Sequence, residues 1–455
     1  MSTPDPQLKN IKRLVWLYFW LLIFEGALRK WIAPQLSTPL LIVRDPVVLL
    51  IYFLALGRGL FPKSPFIAWI ALLAALSFFA SLAGIGTLKV TLYGMRTNFL
   101  HLPLIFLLPN VFDERDVKQM GKWLLILSPP MALLALAQFR ASPDAWINAA
   151  AGGERGGQLY AAMGKIRPPG LFSFVTGMVS YLGFVAAFLS CHFLDGKIFR
   201  RILVMVSVPS LVLSLGVSGS RSAVAVVSVV FFMMVFICLR RGRLSSGVLK
   251  YVAVIWLVYL GMGWLPSFQQ GLMVQQERFE SSGGVHEGIV NRFVDELVNS
   301  FGACSTAPIL GLGLGLGTNA GAGLVSGERQ FLLAEGEWGR LILESGPLLG
   351  IAFILLRLGI LVHLWNASLR KLREGSSLPL LLLSATGVDL LTGQFGQPTG
   401  LGFVVLGGGL CLAATRAGGT SGDVENSEPT ATKPEQEVKK MRGRSPYAET
   451  LHADT

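Results

Sequence analysis

The chain has 455 residues, of which 52% are hydrophobic and only 15% charged, and its mean hydropathy is +0.57. A water-soluble domain could not hide so much apolar surface in one core, whereas a bilayer accepts it on helices whose backbone groups are paired internally. The net charge of +12 comes without a basic stripe interleaved with aromatics, so it reads as loop topology and excludes a nucleic-acid surface.

The N-terminus carries a polar run, then Lys12-Arg13, then a long apolar stretch with no small-residue cleavage site. That pattern predicts a retained first span and not a cleaved leader. Apolar runs bounded by charge or by Pro and Gly follow at roughly 12–32, 39–57, 65–84, 90–110, 120–139, 171–194, 200–218, 221–239, 247–265, 338–365, 377–395 and 399–415. Each is near the ~20 residues that a bilayer requires, which predicts an all-α polytopic protein of about twelve membrane helices. With the N-terminus in the cytoplasm, the cytoplasmic connections hold Arg58 and Lys63; Arg115, Lys118 and Lys122; Lys197, Arg200 and Arg201; Arg240, Arg241, Arg243 and Lys250; and Arg370, Lys371 and Arg373. Short basic connections next to span ends stay inside, so both termini are expected in the cytoplasm.

Two long connections then lie outside, at about 140–170 and 266–337, and loops of that length usually carry function. Within the second, Ile289, Phe293, Leu297 and Phe301 recur at helical spacing, predicting an amphipathic helix that lies on the membrane or caps a cavity. After Arg416 large apolar residues almost vanish, and 417–455 reads as a disordered tail. Of the four cysteines only Cys304 falls in an outer connection, and no Cys-x-x-Cys pair suggests a metal.

The residues able to carry chemistry gather near the outer face. Arg167 sits in Lys-Ile-Arg-Pro-Pro-Gly, Arg221 in Ser-Gly-Ser-Arg-Ser, Arg96 inside the fourth apolar run, Arg292 in the second loop and Arg340 at the start of the next span. Ionisable groups at membrane depth face a cavity or a partner. Guanidinium pairs two phosphate oxygens at once, so these arginines are candidates for holding a phosphorylated headgroup. The plainer alternative is anchoring at the lipid interface. In Ala-Glu-Gly-Glu-Trp-Gly-Arg, 334–340, Glu335 or Glu337 is a candidate general base. Equally, Glu337, Arg340 and Glu344 stand at ion-pair spacing. His286 is the one histidine in an outer loop, either a base or simply solvated. The alternating Gly311 to Gly317 run lacks a strand–turn–helix context and reads as close backbone packing.

Arg-Pro-Pro-Gly-Leu-Phe at 167–172, Ser-Gly-Ser-Arg-Ser at 218–222, Gly-Leu-Gly-Thr at 315–318 and Glu-Gly-Glu-Trp-Gly-Arg-Leu-Ile-Leu-Glu-Ser-Gly at 335–346 occur in that order. The set, over about 160–420, resembles the O-antigen ligase and polymerase superfamily of bacterial envelope polysaccharide enzymes. The resemblance implies a metal- and cofactor-independent glycosyltransferase of the membrane C-type fold in the bacterial inner membrane. Such an enzyme takes glycan from an undecaprenyl diphosphate carrier at the periplasmic face and passes it to an acceptor glycan. Its partners are membrane lipids and other polysaccharide-assembly proteins. By motif position Arg221 resembles a diphosphate-holding arginine and Arg167 an upstream glycan-loop arginine; Arg292 matches only by lying in the second loop. Ligases of the family carry His-Asn where this chain has Glu335-Gly336, which points to polymerisation over ligation to lipid A core. The segment Phe24-Glu-Gly-Ala-Leu-Arg-Lys-Trp31 departs from the family pattern. A lipid-linked glycan transporter is the reading from another class; it is disfavoured because no internal repeat is seen and the charges crowd one face.

Overall fold

The computed structural model describes residues 6–196, 198–242, 246–281, 292–318, 321–323, 333–334 and 336–416, and these are helical with no strand among them. The expected tail at 417–455, with His286 and Glu335, lies outside the described residues. The helices are α1 (Pro6–Ala27), α2 (Ser37–Leu40), α3 (Asp45–Leu56), α4 (Pro65–Leu82), α5 (Leu88–Met95), α6 (Pro103–Val111), α7 (Glu114–Arg140), α8 (Val175–Leu194) and α9 (Arg201–Val217). They continue with α10 (Arg221–Arg240), α11 (Ser246–Met262), α12 (Pro266–Glu280), α13 (Arg292–Thr306), α14 (Glu337–Arg373), α15 (Leu378–Thr392) and α16 (Pro398–Ala413). Local chemistry sets the starts. Pro46, Pro65, Pro103, Pro266, Pro379 and Pro398 each stand in a first helical turn, where the missing N–H costs nothing. Asp113 caps α7 in a capping box with Asp116.

Among the described residues six helical stretches are long and apolar enough to cross a membrane, and seven if the α11–α12 pair, bent by 105°, is one span; α9, α15 and α16 are shorter apolar helices. This is the architecture of a multi-pass membrane protein, with six or seven such stretches among the described residues beside the about twelve expected from hydropathy. The second run breaks in a turn before α3, and the fourth is α5, a π-helical turn at Arg96–Leu100, and α6. Both breaks carry an arginine, Arg44 in the first and Arg96 in the second, and a hydropathy average over the long apolar run dilutes that single charge. The second long loop also differs from expectation: its first 15 residues are helix α12, packed on α9. The amphipathic segment is realised from Arg292 onward as α13, which lies on α14.

Helix α8 is buried around nearly its whole circumference, which fits a helix apolar on every side. Helices α10 and α15 flank it, and α16 packs between α15 and α6. At one end of this group Arg241 donates to the Asp195 carboxylate and to the Gly375 carbonyl, each at 2.8 Å, and Ser377 donates to Asp195. Three connections expected on the cytoplasmic side therefore meet at the same end of the bundle. The first turns of α8, α10 and α16 and the last turn of α15 form the other end.

The glycine run at 311–317 threads between α4, α5 and α14. Ile85 N–H donates to the Leu312 carbonyl at 2.9 Å, Leu312 N–H to the Leu343 carbonyl at 2.8 Å and Leu314 N–H to Ser81 Oγ at 3.0 Å. A Cβ on Gly94 would lie 2.5 Å from the Gly315 nitrogen, and Gly315 itself has φ +87°. Close backbone packing, as read from the sequence, is what the run provides. Gly94→Val should lower stability by about 1–3 kcal/mol through overpacking, measured as thermal unfolding in detergent. Gly302→Ala on α13, where a Cβ meets nothing within 4 Å, should instead gain up to about 1 kcal/mol from helix propensity.

Candidate functional site

Three arginines from separate segments gather where α10 begins. Arg167 Nε donates to the Tyr160 carbonyl at 3.1 Å, in the first long loop. Arg278 Nη1, from α12, reaches the Tyr160 and Ala161 carbonyls at 3.3 and 3.2 Å. Arg221 Nη1 donates to the Arg278 carbonyl at 3.4 Å. Local backbone makes this possible. Gly219 turns at φ +52° between α9 and α10, with Ala161 and Val274 against it. Gln275 on α12 donates to the Ser218 hydroxyl at 3.0 Å. All three arginines are half-buried. The sequence singled out Arg167 and Arg221; Arg278 was hidden in a polar helix with nothing local to mark it.

Directly beside Arg221, Ser222 lines a cavity of about 270 Å³ together with Thr176, Ser180, Asp389, Gln394 and Gln397. The four helices α8, α10, α15 and α16 enclose it. Ser180 Oγ lies 3.4 Å from Asp389 Oδ2, Thr176 donates to Gln397 at 2.8 Å, and Gln397 donates to Gln394 at 2.7 Å. A carboxylate, two amides and hydroxyls facing a cavity of this size suit a hydroxyl-rich guest, with Phe395 as an apolar face. Asp389 and the two glutamines escaped the sequence reading. The signal was there in a lone Asp within an apolar run, which at membrane depth marks a candidate site.

A charge network that includes Glu337 and Arg340 meets the cavity lining at Phe395. Helix α14 breaks at Gly346, whose φ of 80° and ψ of 163° suit glycine. Its first piece folds back along the second, so that Gly350 packs on Ile342. In a straight helix Glu337 and Arg357 would be about 30 Å apart; here Arg357 Nη1 donates to Glu337 Oε1 at 2.9 Å. Arg340 Nε and Nη2 also hold Glu337, both at 2.9 Å, while Nη1 holds Glu344 at 2.7 Å and Nη2 reaches Asn98 Oδ1 at 3.0 Å. Backbone N–H groups of Phe395 and Gly317 complete the shells of Glu337 and Glu344. Arg357 further caps the end of α15, donating to the carbonyls of Asp389, Leu390 and Gly393. Glu337 is 1% exposed and Arg340 4%. Both oxygens of Glu337 accept from buried guanidinium groups, and Arg340 is held between Glu337, Glu344 and Asn98. Of the two readings of this segment, ion pairing is the one the geometry realises.

Arg96 stands apart from the Arg167–Arg221–Arg278 group. It pairs with Asp45 and donates to the Leu41 carbonyl at 2.7 Å. Asp45 also bonds His101 at 3.0 Å, and His101 contacts Tyr18. Tyr18 in turn accepts from Arg44, whose other bonds go to Glu25 and the Pro398 carbonyl. The atypical segment at 24–31 belongs here: Arg29 bonds Glu25, Ser37 and Ser173, and Lys30 donates to the Gly170 carbonyl at 2.6 Å. It ties α1 to the Arg-Pro-Pro-Gly-Leu-Phe motif. Arg292 opens α13; its side chain, like Glu335 and His286, lies outside the described residues. Among the described residues no group of three or more His, Cys, Asp or Glu comes together that could hold a metal.

Removing one partner from a buried network strands the others. Arg340→Met should cost about 3–5 kcal/mol, leaving Glu337 and Glu344 underpaired, whereas Glu344→Gln, which keeps an acceptor for Gly317 N–H, should cost clearly less. Thermal unfolding of both purified variants measures the difference; equal losses would mean that charge does not hold this layer. No family model and no curated protein matches the chain.

Proposed function

We propose that the protein is a periplasmic-face glycosyltransferase of the bacterial inner membrane that polymerises undecaprenyl diphosphate-linked oligosaccharide repeats. The observation that carries this reading is the convergence of Arg167, Arg221 and Arg278 where α10 begins, with Ser222, the residue after Arg221, lining a cavity rich in hydroxyls and amides. Breaking a glycosyl–diphosphate bond puts negative charge on the leaving group, and preorganised guanidinium groups stabilise that charge as it develops. The acceptor is a sugar hydroxyl, which the cavity's amides and the Asp389 carboxylate are suited to orient. Glu337 is held in ion pairs, and we assign deprotonation of the acceptor to Glu335 or Asp389. The four motifs that resemble the O-antigen ligase and polymerase superfamily support the same reading, and Glu335-Gly336 in place of His-Asn favours polymerisation over ligation.

In a strain lacking the gene, single lipid-linked repeats should accumulate and long chains should be absent. Long lipid-linked chains that never reach their final acceptor would instead assign ligation. Arg221→Ala should abolish product while the protein stays in the membrane at its normal level; full activity in that variant would sink the reading. Asp389→Asn should lower polymer yield tenfold or more, on the order of a lost charge-assisted hydrogen bond, without loss of membrane-inserted protein.

A further inference from the structure

The cavity beside Asp389 is lined by one carboxylate and, among the described residues, by no lysine, arginine or histidine. Arg357 is bonded to that wall, but its Nη2 donates to the carbonyls of Asp389 and Gly393 and its Nη1 to Glu337. Arg221, the residue before Ser222, reaches the Arg278 carbonyl. Neither guanidinium belongs to the lining. Asp389 is half-buried, and among the described residues its carboxylate has one hydrogen-bond contact, 3.4 Å from Ser180 Oγ. That hydroxyl lies nearer the Thr176 carbonyl, at 3.1 Å, and has one proton to give. A carboxylate accepts and cannot donate, and it has room for about four hydrogen bonds. What completes this wall is therefore a donor.

Size and charge narrow the guest. At about 270 Å³ the cavity falls just below the usual ligand pocket, roughly 300–1,000 Å³, which suits one sugar ring and not an oligosaccharide. Ring hydroxyls supply the donors that Asp389 lacks, and the side-chain amides of Gln394 and Gln397 both accept and donate. An acidic sugar meets the opposite. Its carboxylate would stand without a counter-charge beside Asp389, in a space partly withdrawn from water, where an unpaired charge is strongly disfavoured. We propose that this cavity takes a single uncharged sugar ring and turns away a ring that carries a carboxylate, with Asp389 as the residue that discriminates. The proposal rests on the reading of the cavity as the acceptor's place, and it narrows that acceptor to glycan whose reacting end is a neutral sugar.

The test uses the full-length protein in lipid nanodiscs, free of glycoside detergents, with matched pairs of probes: methyl glucoside against methyl glucuronide, and methyl galactoside against methyl galacturonide. Kd is read by titration in saturation-transfer NMR. In at least one pair the neutral glycoside should bind, and its acidic partner should bind about tenfold more weakly or not at all. Asp389→Asn keeps the shape and removes the charge. It should weaken the neutral glycoside several-fold, through loss of a charge-assisted hydrogen bond, and bring the acidic one to within about threefold of it. Ser222→Phe, at an exposed position of the first turn of α10 that lines the cavity, should abolish binding with unchanged thermal unfolding. No binding by either neutral glycoside, an acidic glycoside binding as tightly as its neutral partner, or undiminished binding in Ser222→Phe would each overturn the proposal. An unchanged neutral-to-acidic ratio in folded Asp389→Asn protein would overturn the part given to Asp389. Binding is read here without turnover, whereas polymer in the Arg221→Ala strain reads transfer, so failure of the one is distinguishable from failure of the other.

Discussion

The structure depends on one constraint: charge taken into an apolar bundle has to be matched within hydrogen-bond reach. Glu337, Arg340, Glu344 and Arg357 meet that condition among themselves and with the backbone. In doing so they fix three things that no apolar contact specifies. They set the fold-back of α14 at Gly346, the end of α15 through the carbonyls that Arg357 caps, and the path of the glycine run through Gly317. Apolar packing would tolerate a helix sliding by a turn; a bidentate guanidinium does not. The cavity beside Asp389 exists because the connection from α15 to α16 is pinned by Glu337 and Arg357.

A second layer of buried polarity joins the N-terminal helix to the rest. Arg44 reaches the Pro398 carbonyl, and Lys30 the Gly170 carbonyl. The segments that flank the cavity and those that carry the motif at 167–172 are thus held around the end of α1, by Arg44, which pairs with Glu25, and by Lys30 in the turn that follows the helix. Gly26 permits it, since a side chain there would collide with the backbone of Leu171 to Ser173. The stretch at 24–31 is therefore a structural clasp for the segment at 167–173.

Much of this was legible in the sequence, and the rest was not for identifiable reasons. Apolar runs gave the helical, membrane-embedded character. Arg167 and Arg221 stood out because small, turn-forming residues surround them, and the spacing of Glu337, Arg340 and Glu344 announced their ion pairs. The partner that completes them, Arg357, lies where only a fold-back can bring it, and a hydropathy window reads straight across Gly346. Asp389 and Arg357 were visible as single charges in apolar runs and are the lesson for such chains: a lone charge there is more informative than a cluster at a loop. Arg278 had no such mark, since its neighbours in α12 are polar as well.

The fold-back of α14 also bears on how the protein is made. The piece from Glu337 to Ser345 carries two acids and a base and could not partition into lipid by itself. Arg340 pairs both acids within the piece, the remaining negative charge is matched by Arg357, twenty residues later in synthesis, and the shell closes only with Phe395. The polar contacts of this segment are therefore complete only once α15 and the connection after it have been made. Helices made earlier supply the surfaces for the later ones, α4 for α14, α6 for α16, and α8 and α10 for α15.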